Sequence, residues 1–328
     1  NGCPGWPLRM RTCLPKAAVA MSASAANPRW NPRDNLAPLH DLWRRIPPSH
    51  PKRPCSMIAI EQFEREFQSG LDTMARLPMK DMRRGYDVLC TRFAPALPCG
   101  MTIRDSAVGG VPLRHHRPSS CKSGTVVYLH GGGFTIGSLD SHQGVASGLA
   151  QGLGREVVAV GYRLLPEASY ADAMMDCRDA IFALDPVAIV GDSAGGRLVI
   201  DIAQDMVDAP PLGLIYPVVG RPRAETLGPD APLLSRADVL SAWTAIEPHA
   251  PADAPCPSAR IEVLGVSRDP LTLPLEHAVA EWRALGAIVG YRCATNMLHG
   301  CLHAREALPA MKVAWDEFCA SLKAAIDG

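Results

Sequence analysis

The apolar residues of the chain recur with two alternating periods from Met57 to the C-terminus. Apolar positions three or four apart indicate amphipathic helices, and short apolar runs indicate buried strands. Helical spacing occurs at residues 58–77, 79–93, 170–184, 195–207, 235–246, 274–285 and 303–326. Strand-like runs occur at 125–130, 156–161, 187–191, 212–217, 260–266 and 288–294, after a predicted pair of strands over 101–118 that turns at Gly109 and Gly110.

The order of these elements predicts the fold class. Strands that alternate with helices of this length form a mostly parallel sheet with helices on both faces. In such sheets the reactive groups lie at the carboxyl ends of the strands. We therefore predict an α/β fold whose functional site lies at that edge of the sheet.

Two segments depart from this alternation. Residues 1–56 carry nine Lys or Arg against two acids, together with ten prolines, and we predict a disordered or non-native N-terminal extension there. A secretory signal is the alternative, although Pro15 and Lys16 interrupt its apolar centre. Residues 218–256, here called the insert, are rich in proline, alanine and charge. We expect the insert and residues 57–98 to form a small cap within a domain of residues 57–328.

Composition excludes several classes of function. The 33 basic and 33 acidic side chains balance, which predicts no attraction to nucleic acid or to an anionic membrane. No run of apolar residues is long enough for a membrane span. The 11 cysteines contain no C-x-x-C pair, which predicts reduced thiols in a cytoplasmic protein rather than a disulfide framework or a zinc site.

Two glycine-rich blocks follow strand-like runs, and together they supply the parts of an acyl-transfer site. Residues 191–196 read Gly-Asp-Ser-Ala-Gly-Gly, an elbow that would hold Ser193 at the tip of a strained strand-to-helix turn. Residues 130–134 read His-Gly-Gly-Gly-Phe, a turn whose backbone N–H groups suit an oxygen that becomes negative during attack. A small-molecule substrate with a carbonyl group is therefore expected.

A serine nucleophile needs a base and an acid that orients the base. Asp269 directly follows the strand predicted at 260–266, and His299 lies in the loop before the last helix, so both should share the sheet edge of Ser193. The rivals are less well placed for these roles, because they fall in the insert, within a strand or on a helix: His249, His277, His303, Asp253 and Glu262.

His130 is predicted to be structural, because it precedes Ser193 and begins the glycine turn. His115 and His116 are adjacent on a predicted strand and should point to opposite faces. With no metal-ligand spacing and no nucleotide-binding glycine motif, the sequence predicts neither metal nor cofactor.

These motifs in this order resemble the hormone-sensitive-lipase-like group of α/β-hydrolases, the bacterial family IV esterases. The resemblance rests on His130–Phe134, Tyr162–Glu167, Gly191–Gly196, Asp269–Leu271 and His299–Gly300. It implies an α/β-hydrolase fold with a helical cap and a carboxylesterase of short- or medium-chain acyl esters. It also implies an oxyanion hole of Gly131, Gly132 and Ala194, a structural role for residues 162–167 and Asp176, and a possible homodimer.

Two alternatives stay open beside this resemblance. Arylformamidases share a similar elbow and glycine turn, and a ligand receptor can be built on the same fold, although that receptor group lacks the catalytic histidine. One departure concerns the pocket: Cys301 stands where the family usually has Phe, which implies a locally wider pocket.

Overall fold

The computed structural model of the protein describes residues 57–253 and 255–328. The predicted N-terminal extension, residues 1–56, lies outside the described residues. The elements in chain order are α1 Ile60–Met74, α2 Met79–Phe93, β1 Thr102–Val108, β2 Val111–Arg117, β3 Lys122–Leu129, α3 Gln143–Leu153, β4 Arg155–Val160, α4 Tyr170–Leu184, β5 Ala188–Asp192, α5 Ala194–Gln204, β6 Leu212–Ile215, α6 Arg236–Ile246, β7 Arg260–Arg268, α7 Thr272–Ala284, β8 Ile288–Leu298 and α8 Pro309–Asp327.

The strands form one sheet in the order β1-β2-β4-β3-β5-β6-β7-β8. The β1–β2 hairpin and the β2–β4 pair are antiparallel, and the pairs from β4 to β8 are parallel. The hairpin turns at Gly109 and Gly110, whose φ angles of 57° and 88° suit glycine. The predicted fold class, a mostly parallel sheet flanked by helices, is confirmed.

Alternate residues of β3 enter two separate cores. Val126 and Tyr128 pack with α3 and α8 on one face of the sheet, whereas Val127 and Leu129 pack with α4, α5 and α7 on the other. This alternation follows from the two-residue period of a strand. Because both faces are covered, every residue of β5 and β6 is buried.

Helix α3 was not predicted from the sequence. It carries Gly144, Gly148 and Gly152 on one face, and glycine lowers helical propensity. A Cβ atom at Gly152 would lie 2.9 Å from Cβ of Cys319, and one at Gly144 would lie 2.9 Å from Cβ of Ala94. Tertiary packing therefore requires small residues where local propensity argues against a helix.

The C-terminal helix begins later than predicted. Residues 301–304 form a 3₁₀ turn, and α8 starts at Pro309 rather than at 303. Proline fits the first helical position, because its missing N–H would have no partner there. His303 therefore lies in this 3₁₀ turn and not at the start of α8. None of the described helices combines the length and the apolar character that crossing a membrane would need.

Candidate active site

Ser193 occupies a strained turn between β5 and α5. Its φ and ψ angles are 51° and −117°, and its backbone N–H donates to the carbonyl of Ile215 at 2.9 Å. The turn is tight, because a Cβ atom at Gly195 would lie 2.1 Å from the carbonyl oxygen of Leu129. One at Gly191 would lie 2.5 Å from the carbonyl oxygen of Gly195. The glycines of the elbow are therefore required by backbone packing.

Ser193, His299 and Asp269 meet at the carboxyl edge of the sheet. Nε2 of His299 lies 2.9 Å from Oγ of Ser193, and its Nδ1 lies 2.6 Å from Oδ2 of Asp269. The Asp269 side chain is fully buried, and its Oδ1 accepts the N–H of Leu271 at 2.8 Å. The three side chains come from the ends of β5, β8 and β7, as the strand-end argument expected.

Four of the five rival side chains do not line the cavity beside Ser193 in the described part of the chain, whereas His303 does. His249, His277 and Asp253 are exposed. Glu262 faces Arg292 at 2.9 Å within the sheet, and Nε2 of His303 is buried 3.3 Å from the hydroxyl of Tyr86. None of the five has a hydrogen bond to Ser193 in the described structure.

The glycine turn differs in detail from its predicted role. The N–H of Gly131 donates to Oδ1 of Asp192 at 3.0 Å, so it is not free to meet a substrate oxygen. Gly132 and Gly133 line the cavity beside Ser193, as does Ala194, whereas Gly131 does not. The φ angles of Gly132 and Gly133, 119° and 58°, turn the chain here. The assignment of Gly131 as an oxyanion donor does not match this geometry.

Asp192 is the centre of a buried polar cluster behind the glycine turn. Its Oδ1 also accepts the hydroxyl of Tyr128 at 2.5 Å, and its Oδ2 lies 3.6 Å from Nε2 of His142. Burial by itself would raise the pKa of Asp192, but His142 and Tyr128 outweigh it and hold the pKa at about 2. An ionised carboxylate therefore anchors the turn through Gly131.

His130 holds the turn from its other side. Its Nδ1 lies 2.9 Å from the carbonyl oxygen of Gly131, its own carbonyl accepts the hydroxyl of Tyr162 at 2.6 Å, and the two rings stack 4.4 Å apart. Burial lowers the pKa of His130 to about 3, so the ring is neutral near pH 7. These contacts agree with the structural role predicted for it.

The loop of residues 162–167 is held by charged hydrogen bonds. Arg163 donates two hydrogen bonds to the buried carboxylate of Asp176, from its backbone N–H at 2.9 Å and from its guanidinium at 2.8 Å. Arg83 on α2 donates to the carbonyls of Thr135 and Leu165 at 2.8 Å and 2.7 Å. Arg83 therefore ties α2 to the loop that follows the glycine turn, a link that has no local signal in the sequence.

Tyr216 is a site residue that sequence reasoning missed. It directly follows β6 with a φ of 33°, and its ring centroid lies 4.4 Å from that of His299. It lines the same cavity as Ser193. The strand-end rule that singled out Ser193, Asp269 and His299 applies equally to β6, and it could have found this side chain.

A cavity of about 710 Å³ reaches Ser193 and His299. Its apolar walls come from α1, through Phe67 and Leu71, and from the insert, through Leu233, Val239 and Trp243. Cys301 is not one of its lining residues, so the predicted local widening is wrong. The thiol is instead buried, its Sγ accepts the N–H of Leu298 at 3.3 Å, and burial raises its pKa to about 12.

The described cysteines and acidic residues form neither a disulfide bond nor a group that could hold a metal ion. All eight cysteines between residues 57 and 328 are free thiols. No three His, Cys, Asp or Glu side chains of the described residues are grouped so that they could hold a metal ion.

Residues 126–303 match the profile of a family with the α/β-hydrolase fold. The chain is 37% identical to ethyl acetate hydrolase of Pseudomonas putida over 139 residues, which is 36% of this chain and 43% of that protein. It is 29% identical to carboxylesterase NlhH of Mycobacterium tuberculosis over 261 residues, 69% of this chain and 82% of that protein. The chain thus spans less than half the length of the first of these relatives.

Solved structures agree at the level of the fold. An esterase of the bacterial hormone-sensitive lipase family superposes with a TM-score of 0.70 at 22% identity, over 82% of this chain and 100% of that one. A hormone-sensitive lipase from a metagenome library gives 0.70 at 21% identity, over 83% and 99%. The resemblance stated from the motifs is confirmed.

Proposed function

The chain belongs to the α/β-hydrolase family matched over residues 126–303, and from this membership and the contacts of Ser193 we propose that it is a serine carboxylesterase of short- to medium-chain acyl esters. The observation that carries the proposal is the unbroken chain of hydrogen bonds from Ser193 through His299 to Asp269. Relatives named as an ethyl acetate hydrolase and a carboxylesterase support the same reaction class.

Acylation begins when Oγ of Ser193 attacks the ester carbonyl carbon and passes its proton to Nε2 of His299. Asp269 keeps the other proton on Nδ1 and stabilises the imidazolium that forms, because its buried carboxylate lies 2.6 Å away. The hydrogen bond of 2.9 Å between Oγ and Nε2 is already within the range that proton transfer requires.

The oxyanion is assigned to the backbone N–H groups of Gly132, Gly133 and Ala194. All three residues line the cavity at Ser193, and Ala194 begins α5, where N–H groups lack helical partners. Gly131 supports these donors indirectly, because its N–H donates to Asp192 and this hydrogen bond fixes the turn.

The imidazolium then protonates the leaving alcohol, and the acyl group stays on Ser193. In the second half-reaction His299 takes a proton from water, which attacks the acyl carbon and releases the acid. Nε2 gives the first proton to the leaving alcohol and the second to Oγ of Ser193 as the acid departs, so the enzyme ends in its starting state.

The substrate range follows from the cavity. A volume of about 710 Å³ with mostly apolar walls fits an acyl chain of short or medium length together with its alcohol. We assign residues 57–98 and the insert to a cap, because side chains from both segments, such as Leu71 and Trp243, line this cavity.

The Ser193→Ala variant tests the proposal. We expect p-nitrophenyl butyrate hydrolysis to fall by several orders of magnitude, roughly to the 10³-fold residual that binding and oxyanion contacts can leave. Ser119→Ala, an exposed serine, is the matched control and should keep the parent rate. Hydrolysis by Ser193→Ala at the parent rate would exclude the mechanism.

Amide hydrolysis is the second candidate, since a human relative 35% identical over 127 residues is named arylacetamide deacetylase-like 3. The chain covers only 31% of that protein. Turnover of N-formylkynurenine against p-nitrophenyl butyrate separates the two activities. A non-catalytic receptor would leave Ser193 unlabelled by a fluorophosphonate probe, whereas a serine hydrolase becomes labelled.

Homodimerisation and a cytoplasmic location stay predictions. Strand β8 lies at one edge of the sheet, where a second chain could add, and size-exclusion chromatography with light scattering would give the mass in solution.

A further inference from the structure

Arg197 is a fully buried arginine one turn beyond Ser193 on α5. Its side chain has no solvent exposure, and its Nε lies 2.8 Å from Oδ1 of Asp201. The carboxylate of Asp201 is held in turn by the hydroxyl of Tyr170 at 2.7 Å. The backbone N–H of Arg197 donates to the carbonyl of Ser193 at 3.1 Å, but none of these side-chain groups has a hydrogen bond to Ser193 or His299 in the described structure. The triad therefore does not explain why a charge is buried here.

The guanidinium also donates hydrogen bonds to both ends of the insert. Its Nη1 donates to the carbonyl of Gly220 at 2.7 Å, and its Nη2 donates to the carbonyl of Pro251. Helix α6 lies between these two carbonyls and has 11 residues, too few to be stable as an isolated helix. Its position therefore depends on tertiary tethers such as these.

The same guanidinium lies against a wall of the cavity. Its Cζ is 5.1 Å from the centroid of the Trp243 ring, within the range of a cation–π contact. Trp243 is 5% exposed and lines the cavity, together with Val239 and Ile246 from the same helix. One side chain thus holds both ends of the insert and the aromatic ring between them.

We propose that Arg197 is a positioning residue that fixes Trp243 as a wall of the substrate cavity, and that this wall limits the length of the acyl chain. The proposal rests on the proposed esterase function. Arginine suits the role, because its planar group offers five donors that can reach two carbonyls and a carboxylate while its face covers a ring. Lysine carries the charge but cannot make this set of contacts.

The test compares the kcat/KM ratio for p-nitrophenyl octanoate over acetate among four variants. Trp243→Ala removes the aromatic wall, and R197K keeps the positive charge but lacks the planar guanidinium. R197M/D201N removes both charges, and the Asn side chain can still accept the hydrogen bond from Tyr170. R178A is the matched control, an exposed arginine of α4 that pairs with Asp205. We expect the ratio to rise about tenfold or more in the first three, as for pockets that gain room for methylene groups, and to stay unchanged in R178A.

A second measurement reads the ring directly. In protein labelled with 5-fluorotryptophan, the ¹⁹F resonance missing from Trp243→Phe belongs to Trp243, and we expect it to shift or broaden in R197K. If R197M/D201N does not fold, R197K alone is used for both the kcat/KM ratio and the fluorine resonance.

The proposal is overturned if Trp243→Ala raises the ratio while R197K leaves both the ratio and the Trp243 resonance at their parent values. It is also overturned if Trp243→Ala leaves the ratio unchanged, since the ring would then limit nothing. If the parent protein hydrolyses no ester, the proposed function fails, and the fluorine resonance still shows whether Arg197 positions the ring.

Discussion

Replacing Ser193 by glycine should stabilise the protein relative to replacing it by alanine. The φ and ψ angles of Ser193, 51° and −117°, are the mirror image of an extended conformation that L residues prefer. Glycine adopts this mirror region without a steric cost, whereas alanine keeps the Cβ atom that makes the conformation unfavourable. Neither variant has the nucleophile, so the comparison isolates backbone strain.

The magnitude follows from two opposing effects. A non-glycine residue in such a region costs about 1–3 kcal/mol. At an ordinary position glycine lowers the free energy of unfolding by about 0.5–1 kcal/mol relative to alanine, because a chain that contains glycine is more flexible when unfolded. The strain should win, and we expect Ser193→Gly to exceed Ser193→Ala by about 1 kcal/mol in the free energy of unfolding.

Urea denaturation followed by tryptophan fluorescence measures this difference, provided that the m-values agree. The matched control is Ala320→Gly at an exposed position within α8, where glycine has no strain to relieve. That variant should lose about 0.5–1 kcal/mol. The sign of the glycine effect should therefore reverse between the two sites.

The reasoning is refuted if Ser193→Gly is less stable than Ser193→Ala by the amount that Ala320→Gly loses. The backbone at Ser193 would then store no strain.

Two further predictions concern acid stability and the elbow. Burial lowers the pKa of His116 to about 4 and of His130 and His303 to about 3. The folded state therefore binds fewer protons than the unfolded state below pH 6.5, and stability present at neutral pH is lost as the pH falls from 6.5 towards 3, by about 2 kcal/mol per histidine at pH 5. Urea titrations at pH 7.5 and 5 measure this loss in the free energy of unfolding. The reasoning is contradicted if His116→Asn loses as much stability between these two pH values as the parent does. The second prediction concerns Gly195→Ala, which places a Cβ atom 2.1 Å from the carbonyl oxygen of Leu129. Steady-state kinetics should show kcat reduced by about 10²-fold or more, since a displacement of Ser193 by about 1 Å has that effect. A kcat equal to that of the parent would show that the elbow tolerates the methyl group.

Local patterns were sufficient for most elements and for the three side chains that meet at the sheet edge. The bounds predicted for α2 and α4, residues 79–93 and 170–184, agree with the structure. Ser193, Asp269 and His299 were found because parallel strands bring their carboxyl ends to one edge, so that position along the chain predicts position in space.

Local patterns failed where a partner far along the chain decides. Helix α3 has glycines that oppose a helix locally but are required by Ala94 and Cys319. The N–H of Gly131 looks free in sequence, yet Asp192, 61 residues later, accepts it. No period or motif records such pairings, because they depend on how the elements pack.

The sequence by itself determined the class of the sheet, the elbow at Ser193 and the residues expected beside it, since periodicity and glycine placement act over a few residues. Only the tertiary structure decided which glycines of the glycine turn line the cavity, that the N–H of Gly131 binds Asp192, and how Arg197 contacts both the insert and Trp243. The physical reason is that hydrogen bonds and buried charges choose their partners by distance in space, and that distance exists only once the chain has folded.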